Sequence, residues 1–340
     1  MLEELGGWQY ASKGRYCLYH ILKALHIKGP VGVPIYCCDS ILQPIRELGL
    51  QWYCYDICLD DLNADVDSVL DCINKYHVDC VIAVSMYGNP CQLDKLEELC
   101  QIKNVKLIDD AAQSFGAILN GRRVGFFGDA GFFSFSPGKP LAGHLGGAFR
   151  VKCDYSIRYK SHLLIHYLAY MDFIYNRCKE HYSKNIKGKM IKYTLRAMFK
   201  MVSIKNDRYS RFEEGVLYGI YKDSLYIHNP YRAAYVLRMA EEIKANKFRV
   251  LRPYDDYRKG VAHKYILICE TKDLAKRINS MLQEREIMSQ LGYRMLCDTS
   301  LYDNARKVDG CIVEIPLNAC EEEYNYVKLT LNELAHLHII

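Results

Sequence analysis

The fold of this chain is decided by residues Leu107–Phe149, which read LIDDAAQSFGAILNGRRVGFFGDAGFFSFSPGKPLAGHLGGAF. Two short runs, Val105–Ile108 and Ala130–Ser136, have the apolar composition of buried β-strands. Two aspartates follow the first run, and a proline, a glycine and Lys139 follow the second. Because ligands in open α/β sheets bind beyond the carboxyl ends of the strands, the sequence predicts a ligand site at these two strand ends.

The polar residues of this stretch are the types that hold pyridoxal 5'-phosphate (PLP). A PLP enzyme needs a lysine for the Schiff base and a carboxylate that faces the protonated pyridinium nitrogen. Lys139 is the only lysine of the stretch, so we predict that it is the catalytic residue. Asp110 is the predicted partner of the pyridinium, with Asp109 as the alternative. We expect Ser134 to donate its hydroxyl to the phosphate, and Gln113 to lie against the ring or its phenolic oxygen.

The same stretch is similar to the family of sugar aminotransferases named for DegT, DnrJ and StrS, whose members have the type I PLP fold. Four pieces carry the resemblance, in the order and at the spacing of the family: Asp109-Asp110-Ala111-Ala112-Gln113, Gly121 to Gly125 with Gly128-Asp129, Ser134-Phe135 to Lys139, and Gly146-Gly147. Further matches are Ser85-Met86-Tyr87-Gly88-Asn89-Pro90 and Glu314-Ile315-Pro316-Leu317. Cysteine desulfurases share the first piece, so only the whole set indicates an aminotransferase.

The resemblance implies an α/β chain with the type I PLP-transferase fold. In this fold helices flank a mostly parallel sheet, and a smaller α+β domain follows at the C-terminus. Alternating strand and helix patterns up to about residue 150 agree with βαβ units. We expect a large PLP-binding domain over residues 1–235 and a smaller C-terminal domain over 236–340. Residues from about 154 to 230 match the family poorly and are expected to form a basic, aromatic-rich insertion.

Hydrophobic periodicity predicts the bounds of individual elements. Helices are expected at Gly14–His26, Leu93–Cys100, Ala233–Lys247, Asp273–Arg285 and Glu321–His336. Besides the two runs named above, strands are expected at Val78–Val84, Phe149–Lys152 and Tyr265–Cys269.

Three more residues are expected to bind the cofactor because of the resemblance. Gly14 stands where the family has the glycine of a Ser-Gly-Thr run. Arg15 replaces the threonine that contacts the phosphate. A guanidinium can bind phosphate through charge-assisted hydrogen bonds, and a surface salt bridge is the alternative role of Arg15. Tyr36 is the aromatic residue nearest to the position that stacks on the cofactor ring in the family, and it lies two positions away from it.

Two residues are candidates for contact with the substrate. Tyr87 follows a predicted strand, where it would either line the substrate pocket or pack in the core. His144 lies five positions after Lys139 and would either assist proton transfer or make a structural hydrogen bond.

Composition agrees with a soluble enzyme of 340 residues, half of them hydrophobic, with a net charge of +5. The N-terminus lacks the pattern of a signal peptide, and no apolar run reaches the length of a membrane span. We therefore expect a cytoplasmic protein. The 15 cysteines do not follow zinc-site spacing, so we expect reduced thiols and no metal site.

The segment Tyr155–Arg211 is strongly basic. It holds thirteen basic residues against three acidic ones, a net charge of +10, with aromatic residues interleaved. This mixture suits a helix on the inner face of an anionic membrane, or a site for a nucleotide diphosphate or a partner protein. The alternative is a solvated helical insertion whose aromatic residues pack on the core. No motif supports binding of nucleic acid.

The function implied by the resemblance is transamination. An amino acid, glutamate in the family, would give its amino group to a keto sugar. The resemblance implies that this sugar is nucleotide-linked and that the reaction belongs to surface polysaccharide or amino-sugar biosynthesis. Members of the family are homodimers. One alternative is a PLP-dependent sugar dehydratase, although its known members replace the lysine that is present here as Lys139. The other is a non-catalytic binding or regulatory relative, which the departures at Arg15 and Tyr36 leave open.

Overall fold

The computed structural model describes residues 7–136, 138–141, 146–158, 230–252, 258–317 and 320–336. The candidate His144 lies outside these residues. So does the predicted basic segment from residue 159 onward. Elements are numbered below along the described residues.

Strands and helices alternate along the first half of the chain. The strands are β1 Gln9–Ala11, β2 Val31–Pro34, β3 Trp52–Tyr55, β4 Cys80–Val84, β5 Lys106–Asp110, β6 Ile118–Leu119, β7 Arg122–Arg123, β8 Ala130–Ser134, β9 Gly147–Val151, β10 Phe248–Val250, β11 Arg258–Lys259, β12 Lys264–Cys269, β13 Gln290–Leu291 and β14 Ile312–Pro316. The helices are α1 Gly14–Ala24, α2 Leu42–Glu47, α3 Val66–Tyr76, α4 Leu93–Lys103, α5 Pro230–Glu242, α6 Lys272–Glu284, α7 Asp303–Val308 and α8 Glu321–His336.

Seven strands form the large sheet, in the order β1-β9-β8-β5-β4-β2-β3. The five strands from β8 to β3 are parallel to one another, whereas β9 runs antiparallel to both of its neighbours. The central strand β4 is buried along its whole length because apolar clusters cover both faces of the sheet. The predicted fold class, a mostly parallel sheet flanked by helices, is confirmed.

A second sheet occupies the C-terminal part of the chain. Its four strands, in the order β10-β12-β14-β13, are all antiparallel. Helices α5, α6 and α8 contribute to the apolar cluster that covers it. This is the α+β arrangement expected for the C-terminal part. The predicted boundary between residues 235 and 236 falls inside α5, and the division into domains stays a prediction.

Most predicted elements agree with the structure to within a few residues. Helix α6 begins after Thr271, whose side chain accepts a hydrogen bond from the backbone N–H of Leu274 and so caps the helix. Strand β5 differs from expectation at its end. It includes both aspartates, because Asp109 and Asp110 pair with Ala83 and Val84 of the neighbouring β4. None of the described helices is both long enough and apolar enough to cross a membrane.

Candidate active site

A cavity of about 190 Å³ opens at the carboxyl ends of the parallel strands. Residues that the sequence predicts for cofactor binding and catalysis line it together: Gly14, Arg15, Asp110, Gln113, Ser134 and Lys139. They come from the start of α1, the end of β5, the end of β8 and the loops that follow these two strands. Parallel strands bring these segments together because their carboxyl ends share one edge of the sheet.

The two neighbouring aspartates of β5 have different surroundings because successive side chains of a strand point to opposite faces. Asp110 lines the cavity and accepts a hydrogen bond from the backbone N–H of Ala112 at 2.9 Å. Asp109 is not among the residues that line the cavity. Its Oδ2 accepts hydrogen bonds from the backbone N–H groups of Gly125 at 2.5 Å and Phe127 at 3.2 Å. Asp109 therefore holds a loop, and Asp110 is the carboxylate available to a ligand.

Burial raises the pKa of both carboxyls. The pKa of Asp110 rises to about 6, because the loss of solvation outweighs the N–H of Ala112 and the positive charge of Lys139. The pKa of Asp109 rises to about 7, again because of burial, against its two backbone donors and the nearby Arg150. A ligand cation beside Asp110 would offset this cost.

The side chain of Lys139 is half-buried at the mouth of the cavity. Burial lowers the pKa of its amine, and the positive charge of Lys264 acts in the same direction, while Asp110 opposes both. A lowered pKa increases the fraction of neutral amine, which is the form that attacks a carbonyl. The position of Lys139 and the lowered pKa of its amine agree with the predicted catalytic role, which stays a prediction.

The other end of the cavity is suited to an anion. Helix α1 begins here, at Gly14, and Lys13 before it makes no side-chain cap, so a ligand could take the place of the capping group. A Cβ atom at Gly14 would lie 2.9 Å from the Cβ of Ser134, which means that only glycine permits this close approach. Lys13, which the sequence reading missed, also lines the cavity, and burial lowers the pKa of its amine. The run of basic residues around the glycine, Lys13-Gly14-Arg15, was the available signal.

Arg15 and Gln113 each make a hydrogen bond within the protein and keep further polar atoms that a ligand could contact. Arg15 lines the cavity and donates from Nη1 to the amide oxygen of Gln43 at 2.6 Å, a neutral partner. Gln113 donates from Nε2 to the sulfur of Met86 at 3.5 Å, and its buried Oε1 has no hydrogen-bond partner among the residues that the structure describes. A buried oxygen without a hydrogen bond is costly, so Oε1 is a place where a ligand donor would be accepted.

Tyr36 and Tyr87 lie together, away from the lining of this cavity. Their hydroxyls are 2.5 Å apart, and Tyr87 donates to Oε1 of Glu314 at 2.7 Å. Tyr36 also accepts from the backbone N–H of Tyr293 at 3.3 Å. Two cysteines, Cys37 and Cys38, line the cavity where an aromatic ring was expected. The hydroxyl of Tyr36 thus lies on the side of the second sheet.

A second cavity, of about 610 Å³, borders Lys139 from the side of the C-terminal sheet. The buried Glu314 lies at its wall and forms an ion pair with Lys264, with Nζ and Oε2 2.5 Å apart. Gln290 donates to the same oxygen at 2.7 Å. Sequence reasoning missed Lys264 and Gln290. The available signal was a single carboxylate within the apolar strand β14, since a buried charge needs a partner.

A comparison with protein families identifies the N-terminal part of the chain. Residues 14–166 match the model of the DegT/DnrJ/EryC1/StrS aminotransferase family. The resemblance expected from the sequence is confirmed over this range, which includes every described residue predicted for the cofactor and the catalytic lysine.

Similar proteins include two curated relatives. The GDP-perosamine synthase of Vibrio cholerae is 33% identical over 138 residues, which are 40% of this chain and 37% of that protein. The GDP-4-keto-6-deoxy-D-mannose 3-dehydratase of Yersinia pseudotuberculosis is 30% identical over 102 residues, 30% of this chain and 26% of that protein. The chain thus spans well under two thirds of the length of these relatives.

The fold extends beyond the matched segments. The structure of Spr1654 from Streptococcus pneumoniae in its PLP form superposes with a TM-score of 0.75, at 16% identity, over 96% of this chain and 86% of that one. Residues 14–166 are therefore similar to the DegT/DnrJ/EryC1/StrS aminotransferase family, and the chain as a whole has the fold of these solved structures.

Proposed function

We propose that this protein is a PLP-dependent aminotransferase that moves an amino group from an amino acid, glutamate, to a nucleotide-linked keto sugar. One observation carries the proposal. A lysine with a lowered pKa and a buried carboxylate, Lys139 and Asp110, line the same cavity at the carboxyl edge of the sheet. The match of residues 14–166 to an aminotransferase family supports it.

The residues present fit PLP. The cavity offers an amine for the Schiff base, a carboxylate for the ring nitrogen and a helix N-terminus with basic neighbours for the phosphate. The unpartnered Oε1 of Gln113 and the close approach of Gly14 to Ser134 are further features that a bound ligand would explain. Spr1654, which shares the fold, is described in a PLP form.

PLP, when bound, supplies an electron sink for the carbanion that forms at the substrate carbon. The chain's own residues have separate tasks. Asp110 holds the proton on the ring nitrogen, because an ionised carboxylate favours the charged pyridinium. Lys139 would hold the cofactor through its amine, and its neutral amine would serve as the base that accepts a proton and returns it. Gly14, Arg15 and Ser134 bind the phosphate, with Lys13 beside them.

The names of relatives support a sugar substrate. The Vibrio cholerae relative is a GDP-perosamine synthase, and we therefore place this protein in nucleotide-sugar chemistry for surface polysaccharide or amino-sugar biosynthesis.

We also propose a homodimer in the cytoplasm, with the basic segment 155–211 in contact with the inner face of a membrane. Sedimentation of the protein alone tests the dimer, and flotation with anionic vesicles tests the membrane contact.

The test of the main proposal is the visible spectrum of the purified protein with PLP. We expect an absorbance band from PLP bonded to Lys139, its bleaching by glutamate, and neither feature in Lys139→Ala. The bleached protein is then mixed with candidate nucleotide-linked keto sugars, and return of the band identifies an acceptor. Failure to take up PLP would refute the enzyme proposal and favour the non-catalytic relative.

The dehydratase stays the second candidate because two similar relatives carry that name. Lys139 argues against it, since the known dehydratases replace this lysine. A band that forms but does not respond to any amino acid, together with loss of water from a keto sugar, would favour the dehydratase over the aminotransferase.

A further inference from the structure

The second cavity shares Lys139 with the first, so a substrate that reacts at Lys139 has room on this side. Its walls come from the end of β14, the strand β12, the turn after α6 and the loop after β13. Among its lining residues are Lys264, Gln290, Tyr293 and Glu314, which are polar groups suited to a small polar ligand.

Glu314 anchors Lys264 at the wall of this cavity. Its carboxylate is 1% exposed and receives three hydrogen bonds, from Lys264, Gln290 and Tyr87. An ion pair this deeply buried is held in one geometry because either partner alone would be an uncompensated charge. The position of the ammonium group is therefore set by β14 and by Tyr87, and not by the flexible lysine chain.

Lys264 retains donors for a ligand. An ammonium group has three N–H donors, and Lys264 donates one of them to Glu314 among the described residues, which leaves donors for a ligand. Its side chain is 13% exposed and borders the cavity. Apart from Lys139, the basic side chains that line the first cavity among the described residues are Lys13 and Arg15, and they lie at the start of α1, where the anionic end of the cofactor is expected.

We propose that Lys264 binds the α-carboxylate of the amino-acid donor, an inference that rests on the proposed aminotransferase function. The carboxylate of an α-amino acid lies two bonds from the nitrogen that replaces the Lys139 amine. Its binding cation must therefore border the same space as Lys139, as Lys264 does. The diphosphate of a nucleotide sugar is an alternative anion. A sugar ring separates it from the reacting carbon, so it belongs farther from Lys139.

The experiment uses the PLP-loaded protein without any sugar. The absorbance change is measured against the concentration of L-glutamate and, in parallel, of 4-aminobutyrate, which is glutamate without its α-carboxylate. In Lys264→Met the half-saturating concentration of glutamate should rise about 10- to 100-fold, as expected for loss of a charged hydrogen bond. The value for 4-aminobutyrate should change little. Lys264→Arg should retain most of the preference for glutamate.

Lys272→Met is the matched control, because Lys272 forms an ion pair with Asp309 at the surface, away from both cavities. It should leave both half-saturation values unchanged. Glu314→Gln keeps the size of the anchor and removes its charge, so it should raise the value for glutamate less than Lys264→Met does. This variant preserves the test if Lys264→Met does not fold.

The outcomes separate two failures. If the wild type takes up PLP but does not respond to glutamate, the proposed function fails. If the wild type responds and Lys264→Met shows the same half-saturation for glutamate, the donor carboxylate binds elsewhere and the inference about Lys264 is overturned. A variant with raised values for both amines would show a general disturbance of the site and would also overturn it.

Discussion

The two cavities that meet at Lys139 are built in different ways. The first cavity is assembled from strand ends and a helix start: Gly14 is the first residue of α1, Asp110 is the last residue of β5, and Lys139 lies in the loop after β8. Beside the second cavity, a buried network joins Tyr36 and Tyr87, which follow strands β2 and β4 of the large sheet, to Glu314 and Lys264 of the C-terminal sheet. Backbone geometry thus prepares one site, and side-chain packing prepares the other.

Lys139 belongs to both cavities, so its replacement should have the largest effect. Lys139→Ala should reduce the rate of amino transfer from glutamate by at least about a thousandfold, because it removes both the bond to the cofactor and the proton carrier. Single-turnover absorbance after mixing with glutamate measures the rate. Lys272→Met serves as the control, and a residual rate within tenfold of wild type would contradict the assignment of Lys139.

The neighbouring residues Asp109 and Asp110 of β5 should differ in their effects on the reaction and on stability. Asp110→Asn should slow amino transfer roughly a hundredfold, because the ring nitrogen loses the charge that keeps it protonated. Asp109→Asn should leave the rate of the folded protein nearly unchanged, and should lower the free energy of unfolding by about 1–3 kcal/mol by weakening the bonds to Gly125 and Phe127. Rapid mixing and denaturant titration measure the two effects. Equal rate losses would refute the division of roles.

A substitution at Gly14 tests whether the backbone at the start of α1 shapes the end of the first cavity that suits an anion. Gly14→Ala should weaken PLP binding about tenfold, because the new methyl group would press on Ser134 at 2.9 Å and displace the end of α1. Gly32→Ala is the matched control, since its nearest neighbours would lie at 3.5 Å or beyond. Equilibrium dialysis of PLP measures the affinity. Equal losses in both variants would indicate general damage to the large sheet.

Asp109 should have no direct part in the reaction, and its expected effect is a pH dependence of stability. Its pKa is raised from 3.8 to about 7 in the folded protein, so folding favours the protonated carboxyl. The stabilisation is full below about pH 4 and is lost as the pH rises through about 7, by about 1–4 kcal/mol. Unfolding free energies of the wild type relative to Asp109→Asn should fall over this range. A flat difference would mean that the carboxyl ionises freely in the fold.

Much of the fold followed from local patterns. The predicted strand at Tyr265–Cys269 lies in the observed Lys264–Cys269, and the helix at Glu321–His336 has the predicted bounds, because apolar periodicity reflects which face is buried. Agreement was weaker at Asp109 and Asp110, which were expected after their strand and lie in it. Pairing with β4 extends the ladder by two residues, and that pairing is not visible in the local sequence.

The residues of the candidate site also differ in how well the local sequence predicted their positions. Gly14, Asp110, Ser134 and Lys139 were predicted because each lies at the end of a regular element within a recognisable run. Tyr36, also predicted to bind the cofactor, is not among the residues that line the first cavity. It lies just after β2, and its hydroxyl contacts a backbone amide 257 residues away in the chain. The assignments of the individual binding and catalytic residues remain predictions for the variants above to test.

The sequence by itself determined the class of fold, the edge of the sheet where a ligand is expected and the lysine and carboxylate that suit PLP. These depend on periodicity and on the order of short segments, which are local properties of the chain. Only the tertiary structure decided which aspartate faces the cavity and joined Lys264 to Glu314, 50 residues apart, beside Lys139. Such contacts arise from strand pairing across the molecule, and the energy of a buried ion pair depends on surroundings that no local pattern contains.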